Sequence, residues 1–301
     1  MDAAASDAPA ADIAVDAALV AALLHAQHPD LAGSLHLVAN GWDNTIWRLG
    51  DDLAVRLPRR EIAAGLIETE QRWLPELAPR LPVAVPAPVR VGRADDLYPW
   101  PWSVVPWIAG RQAASVDPAG RTASAARLAD VVHALAVPAP PDAPHNPWRA
   151  VPLADRDADV RARLADDRLP RARELRALWA DCVAAAPWRG EPSWVHGDLH
   201  PGNLVLDAHG GLAAVIDFGD LSAGDPATDL ATAWLTFDPP GRAVFRQRMR
   251  ELRDLDDADW LRAQGWAIVL ASAIVSTVQG DGPIARIGHH GLSQVLQDLS
   301  G

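Results

Sequence analysis

The chain of 301 residues has no lysine; its 27 basic residues are all arginine, set against 39 Asp and Glu for a formal net charge of −12. Scarcity of positive charge argues against a nucleic-acid partner or an anionic membrane surface, since both need basic contacts. It is compatible with a cationic small-molecule partner. Cys182 is the one cysteine, so no internal disulfide is possible, and a reducing, cytoplasmic setting is expected. Long hydrophobic runs are missing as well. The longest, residues 266–275, is too short to cross a bilayer and reads as a core helix. Residues 1–11 are small and acidic, without a basic stretch ahead of an apolar one. They are expected to be disordered and not a secretory leader.

What is present is apolar bulk. Hydrophobic residues make up 49% of the chain, enough for a sizeable core in one large or two moderate domains. Apolar spacing predicts a helix over 16–28. Alternation predicts strands over 35–38, 45–49 and 53–57, the last two joined by a turn at Gly50-Asp51-Asp52. A helix is predicted over 62–77 and strands over 89–91 and 102–105. Residues 106–110 read as a hinge. Beyond residue 122 the pattern is mainly helical, with helices over 164–185, 245–252 and 257–278, and 136–148 is a Pro-rich loop.

The chemistry concentrates in His196-Gly197-Asp198-Leu199-His200-Pro201-Gly202-Asn203, followed by Ile216-Asp217-Phe218-Gly219. The intervening runs 204–206 and 212–216 read as two strands around the turn 208–211, which would bring Asn203 and Asp217 to one end of a hairpin. Pro201-Gly202 forces a tight loop, so Asp198 and Asn203 can face the same pocket. An Asp, an Asn and a second Asp in this order suit metal-dependent phosphoryl transfer. One carboxylate orients the attacking hydroxyl, while an amide oxygen and a second carboxylate hold Mg²⁺ against nucleotide phosphates. Asp198 is the candidate base, and Asn203 and Asp217 are the candidate metal ligands. His196 reads as a structural residue of the loop. His200 could reach either substrate or backbone, and its role stays open.

This segment resembles the catalytic and metal loops of the aminoglycoside phosphotransferase family, small-molecule kinases that include macrolide phosphotransferases and choline-type kinases. The protein-kinase pattern His-Arg-Asp…Asn…Asp-Phe-Gly is a more distant relative. Gly41-Trp42-Asp43-Asn44, Leu53-Ala54-Val55-Arg56-Leu57-Pro58-Arg59, Glu70-Gln71-Arg72-Trp73-Leu74 and Gly224-Asp225-Pro226-Ala227-Thr228-Asp229-Leu230 fit the resemblance in order, over residues 38–234. It implies an α+β, two-lobed protein-kinase-like fold. Residues 1–105 would form an N-lobe of antiparallel sheet and helix, and 106–301 a mainly helical C-lobe carrying the catalytic and metal loops. The implied activity is Mg-dependent transfer of the γ-phosphate of ATP or GTP to a hydroxyl of a small molecule such as an aminoglycoside or other antibiotic.

By the same resemblance Arg56 stands where kinases carry a phosphate-binding lysine, and Glu70 stands where a helix glutamate pairs with that cation. Arginine keeps the charge and offers a planar fork. The plainer alternative for Arg56 is a surface arginine. Glu68 faces elsewhere on the same helix. Asn44 and Thr45 are candidate donors to phosphate in a loop with a single glycine, although an ordinary hairpin turn fits them nearly as well. Val105 and Trp107, beside the hinge, are candidate nucleotide contacts. Asp225 followed by Pro226 reads as a helix start, with Asp229 one turn in, both structural. Only residues 220–224 separate Asp-Phe-Gly from that start, which leaves no platform for a peptide and favours a small acceptor. The acidic cluster Glu251, Asp254, Asp256, Asp257 and Asp259 fits either an amine pocket or capping acids on a solvated face. A metabolite acceptor and a regulatory pseudokinase are the competing functions. The intact Asp198, Asn203 and Asp217 speak against the second.

Overall fold

The computed structural model describes residues 10–166, 169–278 and 280–298. The chain divides into two compact units. The first comprises Met1–Pro79, Ala84–Ala109 and Asp217–Gly219, and the second Arg80–Val83, Gly110–Ile216 and Asp220–Gly301. Of the segment expected to be disordered, residues 1–9 lie outside the described residues. No helix among the described residues is long and apolar enough to cross a membrane.

The first unit opens with α1 (Ala17–Gln27), started by Asp16, whose carboxylate accepts from Leu19 N at 2.8 Å. There follow β1 (Leu35–Asn40), β2 (Asn44–Leu49), β3 (Leu53–Pro58), α2 (Ala64–Leu77), β4 (Arg90–Gly92) and β5 (Trp102–Pro106). The five strands form an antiparallel sheet in the order β1-β2-β3-β5-β4. Gly50, at φ +59°, supplies the left-handed residue of the β2–β3 hairpin. β3 lies at the centre of the sheet, and Ala54 to Pro58 are all buried. Val20, Leu23 and Leu24 of α1 pack on Trp47, Leu49, Val55, Leu57, Tyr98, Trp102 and Val104. Burying each of the larger side chains contributes about 1.5–3 kcal/mol. α2 turns Ile67, Glu70, Trp73, Leu74 and Leu77 inward at helical spacing. One charged residue therefore goes into the apolar stripe.

The second unit contains β6 (Arg111–Gln112), α3 (Ala125–Leu135), α4 (Asp157–Leu164), α5 (Ala172–Ala184), β7 (Ser193–Val195), β8 (Leu204–Leu206), β9 (Leu212–Val215) and β10 (Ser222–Gly224). It continues with α6 (Ala227–Leu230), α7 (Thr232–Thr236), α8 (Pro239–Leu252), α9 (Asp257–Thr277) and α10 (Pro283–Gln297). α9 is buried almost continuously from Trp260 to Ser272, as expected of a helix apolar on every side. β8 pairs with β9 and β6, and β7 pairs with β10. The short strands β7, β8, β9 and β10 thus frame the loops that carry the His196–Asn203 motif and the Ile216–Asp217 junction.

Two expectations need correction. The helix expected over 164–185 begins only at Ala172, as α5, since the preceding helix α4 ends at Leu164. Pro170 lacks an N–H, and Arg171 sits at φ +53°, so the helix is interrupted although apolar spacing continues through Leu164, Leu169, Ala172 and Leu175. The helix expected from residue 245 starts at Pro239, with Asp238 accepting from Gly241 N at 3.0 Å.

Candidate active site

The first unit holds a buried cation–carboxylate cluster. Arg56 on β3 is 7% exposed and Glu70 on α2 is 1% exposed. Arg56 Nη1 donates to Glu70 Oε2 at 2.5 Å, and Glu70 Oε1 accepts the backbone N–H of Phe218 at 2.8 Å. Arg56 Nη2 lies 3.6 Å from Asp217 Oδ1. Burial opposes the charge on Arg56, but Glu70 and Asp217 outweigh it and hold its pKa above the ordinary value. Burial pushes Glu70 up against the opposing pull of Arg56. Two donors are aimed at its oxygens, which favours the carboxylate form. Asp217 has φ +65°, a left-handed conformation uncommon for a residue with a side chain. Strain of this kind persists where surrounding contacts over-determine it, and here the Phe218 N–H bond fixes the next peptide.

The other candidate nucleotide residues are distributed along the same sheet. Asn44 begins β2 opposite Pro58, is buried, and has no hydrogen-bond partner for its Oδ1. Its backbone oxygen accepts from Gly41 N at 2.9 Å, closing the β1–β2 turn. Thr45 Oγ1 is 3.3 Å from Asn40 Oδ1. Arg59 donates to Gly41 O at 2.7 Å, and Arg60 pairs with Asp43. These two arginines brace the turn from the end of β3. Val105 is buried on β5 opposite Ala54. Trp107 lies at the other end of the sheet from Asn44. Its N–H bonds Asp52 O at 2.7 Å, and the Arg48 guanidinium stands 4.8 Å over its ring. Arg56, Glu70 and Asp217 are therefore brought together, while Trp107 is not part of that cluster.

The second unit builds the His196–Asn203 loop. Asp229 on α6 accepts the N–H of His196 at 2.7 Å and of Gly197 at 3.0 Å. Asp225 caps the same helix by accepting Ala227 N at 2.9 Å, and Pro226 stands at its boundary. His196 Nδ1 accepts Asp198 N at 3.3 Å, so its proton sits on Nε2 and is donated to Ile216 O at 3.0 Å. The imidazole ties the loop to the residue before Asp217. Asn203 donates Nδ2 to Asp198 O at 2.8 Å and to Asp198 Oδ2 at 3.3 Å. That orientation leaves the amide oxygen as its remaining acceptor. The Asn203 backbone oxygen accepts Ile216 N at 2.9 Å.

His200 is 7% exposed. Its Nδ1 accepts Gly202 N at 3.0 Å, so the neutral ring carries its proton on Nε2, 3.3 Å from Asp198 Oδ2. The opposite oxygen, Asp198 Oδ1, faces Arg149 Nη2 at 3.5 Å. Burial alone would raise the Asp198 pKa, but His200, Arg149 and His196 outweigh it and hold the carboxyl well below its ordinary range. Asp198 is thus a fixed, ionised acceptor with a side chain 26% exposed. In a loose phosphoryl-transfer transition state, orientation of the hydroxyl matters more than strong basicity, so a weakly basic carboxylate suffices. Asn203 and Asp217 offer the hard oxygen donors that Mg²⁺ favours. Among the described residues, no group of three or more His, Cys, Asp or Glu is placed to hold a metal. Mg²⁺ takes few protein ligands when phosphates and water supply the rest, so the oxygen donor of each residue is compatible with it.

The family model for the APH phosphotransferase enzyme family matches residues 34–266. The chain belongs to this phosphotransferase family. The match spans well over half of the 301 residues and includes both clusters. Among solved structures, this phosphotransferase is similar to the GDP and kanamycin complex of APH(2'')-IIIa. TM-score is 0.65 and identity 18%, over 93% of this chain and 98% of that one. It is also similar to macrolide 2'-phosphotransferase MphH from Brachybacterium faecium, with TM-score 0.60 and 23% identity over 92% and 98% of the chains. These likenesses establish the fold: an antiparallel-sheet N-terminal region and a mostly helical C-terminal part. An uncharacterised protein, YcbJ of Bacillus subtilis (strain 168), is 39% identical over 51 residues, 17% of this chain and 16% of that protein.

Residues that motif spacing left out surround Asp198. Arg149 also reaches Asp220 Oδ2 at 3.2 Å, and Asn146 Nδ2 donates to Asp220 Oδ1 at 2.7 Å. Asn146 lies in the Pro-rich loop and Arg149 just beyond it, where neither periodicity nor a motif marks a site. Three acids of the expected acidic cluster, Glu251, Asp256 and Asp259, are engaged structurally. Asp256 and Asp259 form a capping box on α9, Asp259 pairs with Arg262, and Glu251 pairs with Arg248.

Proposed function

We propose that this phosphotransferase moves the γ-phosphoryl group of ATP or GTP to a hydroxyl of a small molecule, with aminoglycosides or other antibiotics as the acceptor class. The observation that carries this reading is the fixation of Asp198. Both oxygens are engaged, and its charge is held, yet the side chain keeps contact with solvent. Asp198 would accept the acceptor hydroxyl's proton as that oxygen bonds to the γ-phosphorus and the bond to the β–γ bridging oxygen breaks, releasing the nucleoside diphosphate. Arg56, anchored by Glu70, would bind nucleotide phosphates, with Asn44, Val105 and Trp107 as the further nucleotide contacts. Asn203 and Asp217 would be the Mg²⁺ ligands, on the strength of their oxygen donors and their order in the motif. The ion supplies charge neutralisation of the phosphates.

The acceptor class is supported by the five residues, 220–224, that separate Gly219 from Asp225 and leave no peptide-docking segment. The related structures include complexes named for GDP with kanamycin and for streptomycin with ATP. The test is nucleoside-diphosphate release with ATP and with GTP, against aminoglycosides, macrolides, amino alcohols and sugars, titrated with Mg²⁺. Turnover of an antibiotic is expected. Asp217→Ala should abolish it, and Asn203→Ala should raise the Mg²⁺ needed, since each removes one oxygen ligand. Turnover confined to an amino alcohol or sugar would replace the antibiotic by a metabolite. Nucleotide binding without release on any acceptor would favour the pseudokinase.

A further inference from the structure

The Asp198 carboxylate is gripped from outside its own loop. Arg149 places Nη2 between Asp198 Oδ1, at 3.5 Å, and Asp220 Oδ2, at 3.2 Å. Asp220 is held in turn by Asn146 Nδ2 at 2.7 Å, and Asn146 Oδ1 accepts Trp148 N at 2.8 Å. The three residues Asn146, Asp220 and Arg149 form a chain of one hydrogen bond and two ion pairs that ends on the candidate base.

The backbone is shaped around this grip. Ala150, the next residue, has φ +58°, and its oxygen accepts Asp225 N at 3.0 Å. A Cβ on Gly224 would lie 2.1 Å from that same oxygen, so the approach requires a glycine. β10, which ends at Gly224, pairs with β7, whose last residue precedes His196. Arg149 is thereby registered to the strand that launches the catalytic loop. Gly197, at φ +84°, completes the fit, because a Cβ there would stand 2.6 Å from Asp220 O and 3.3 Å from Arg149 Cγ. Arg149 Nε is buried and makes no hydrogen bond. A left-handed alanine and an unsatisfied buried donor are both unfavourable for folding. Their coincidence at one residue pair marks a position fixed for a purpose other than stability. Both contacts are made by the one nitrogen Nη2, so lysine would keep the charge but, as a point charge on a flexible stem, would hold Asp198 less rigidly than the planar head of arginine.

We infer that Arg149 is a positioning residue for phosphoryl transfer, holding Asp198 Oδ1 in place while His200 and Asn203 hold Oδ2. It acts through Asp198 and not on the phosphates. The inference rests on the reading of Asp198 as the base. The experiment uses the full-length protein with MgATP, measuring ADP release to kanamycin and, without acceptor, to water. Arg149→Ala, Arg149→Lys and Asp220→Asn are compared in the parent and in an Asp198→Asn background, with ATP affinity and Tm recorded for each.

Arg149→Ala should lower kcat by about 10–10²-fold while KM for ATP stays within about twofold, and Arg149→Lys should recover part of the loss. In the Asp198→Asn background, Arg149→Ala should change kcat by less than about twofold, because a residue acting through Asp198 has nothing left to position. Asp220→Asn should give a smaller loss of the same kind. An equal factor in both backgrounds would overturn the inference, assigning Arg149 a direct phosphate contact or a general structural role. So would normal kcat in Arg149→Ala. If Arg149→Ala does not fold, the milder Arg149→Lys and Asp220→Asn carry the same comparison. Unimpaired turnover in Asp198→Asn would instead overturn the proposed base, as absence of ADP release by the parent would overturn the proposed activity.

Discussion

Glu70 and Asp198 are both carboxylates held by arginine, and they are held in opposite ways. Glu70 is shut away, with a side chain 1% exposed, and takes its bonds from one guanidinium and one backbone N–H. Burial dominates, and its pKa rises. Asp198 keeps a side chain 26% exposed and is surrounded by His200, Asn203 and Arg149, so its pKa falls despite burial. A carboxylate sealed beneath a cation is an anchor, since its charge is spent on Arg56 and the Phe218 peptide. A carboxylate braced on several sides but open to solvent is available to a reacting hydroxyl. The difference lies in the number of fixed donors and the access of water, not in the residue type.

The most severe way to break this contrast is Asp198→Asn. Shape is kept and the proton acceptor is lost, so kcat should fall by about 10²–10⁴-fold with nucleotide affinity and Tm little changed. Steady-state kinetics on a verified acceptor, beside nucleotide titration, checks it, and near-parental turnover would remove Asp198 from the reaction. At Glu70 the signature should reverse. Glu70→Ala leaves Arg56 buried without its partner and should cost about 3–5 kcal/mol of stability, read by denaturant unfolding. Replacing Arg56 and Glu70 together by apolar residues of similar volume should restore most of that stability but not activity. A double variant as unstable as Glu70→Ala would mean that the pair is not the unit that Glu70 belongs to.

Arg56 sharpens the same comparison with a smaller change. Arg56→Lys keeps a charge beside Glu70 and gives up the fork that now reaches Glu70 through one nitrogen and Asp217 through the other. Partial loss of kcat/KM for ATP is expected, with a larger loss in Arg56→Ala. Combining Arg56→Ala with Glu70→Ala should be non-additive. Additive losses would assign the phosphates to another residue, for which Arg59 and Arg60 at the Gly41–Asn44 turn are the neighbouring cations.

Much of this was legible in the sequence because it is carried by short-range pattern. Alternation located β2 and β3, helical spacing located α1 and α2, and the turn between β8 and β9 showed in Ala208-His209-Gly210-Gly211. Glu70 could be preferred over Glu68 because only one of the two lies on the stripe of Ile67, Trp73 and Leu74. A structural part for His196 was readable from the motif, and one for Asp229 from the family resemblance. What escaped reading depends on long-range closure. Arg149 meets Asp198 and Asp220 across 49 and 71 residues of chain, from just beyond a Pro-rich loop whose composition says only that it is irregular. The break at Pro170 escaped because the apolar spacing runs straight through it. His200 stayed open because its role depends on which ring nitrogen the Gly202 N–H occupies, a matter of geometry and not of spacing.

The finest test of the contrast is the pH dependence of stability, where the two carboxylates should differ in sign. Glu70 has a folded-state pKa above its ordinary 4.5. As pH falls from neutrality toward 4.5, the folded protein takes up a proton at Glu70 before the unfolded chain does, which raises stability relative to a protein lacking the group. Glu70→Gln should lose that gain, so its stability deficit should widen as the solution is acidified through this window. Asp198 has a folded-state pKa below its ordinary 3.8. Its contribution is fully present above 3.8 and is lost only as pH falls below that value toward the depressed pKa. Asp198→Asn should therefore parallel the parent between pH 7 and 4.5, and its kinetics should likewise owe no acidic limb to this residue in the parent protein. Urea unfolding at several pH values gives both curves. Parallel behaviour of Glu70→Gln with the parent would show that Arg56 outweighs burial at Glu70, and the two carboxylates would then share one mode of stabilisation.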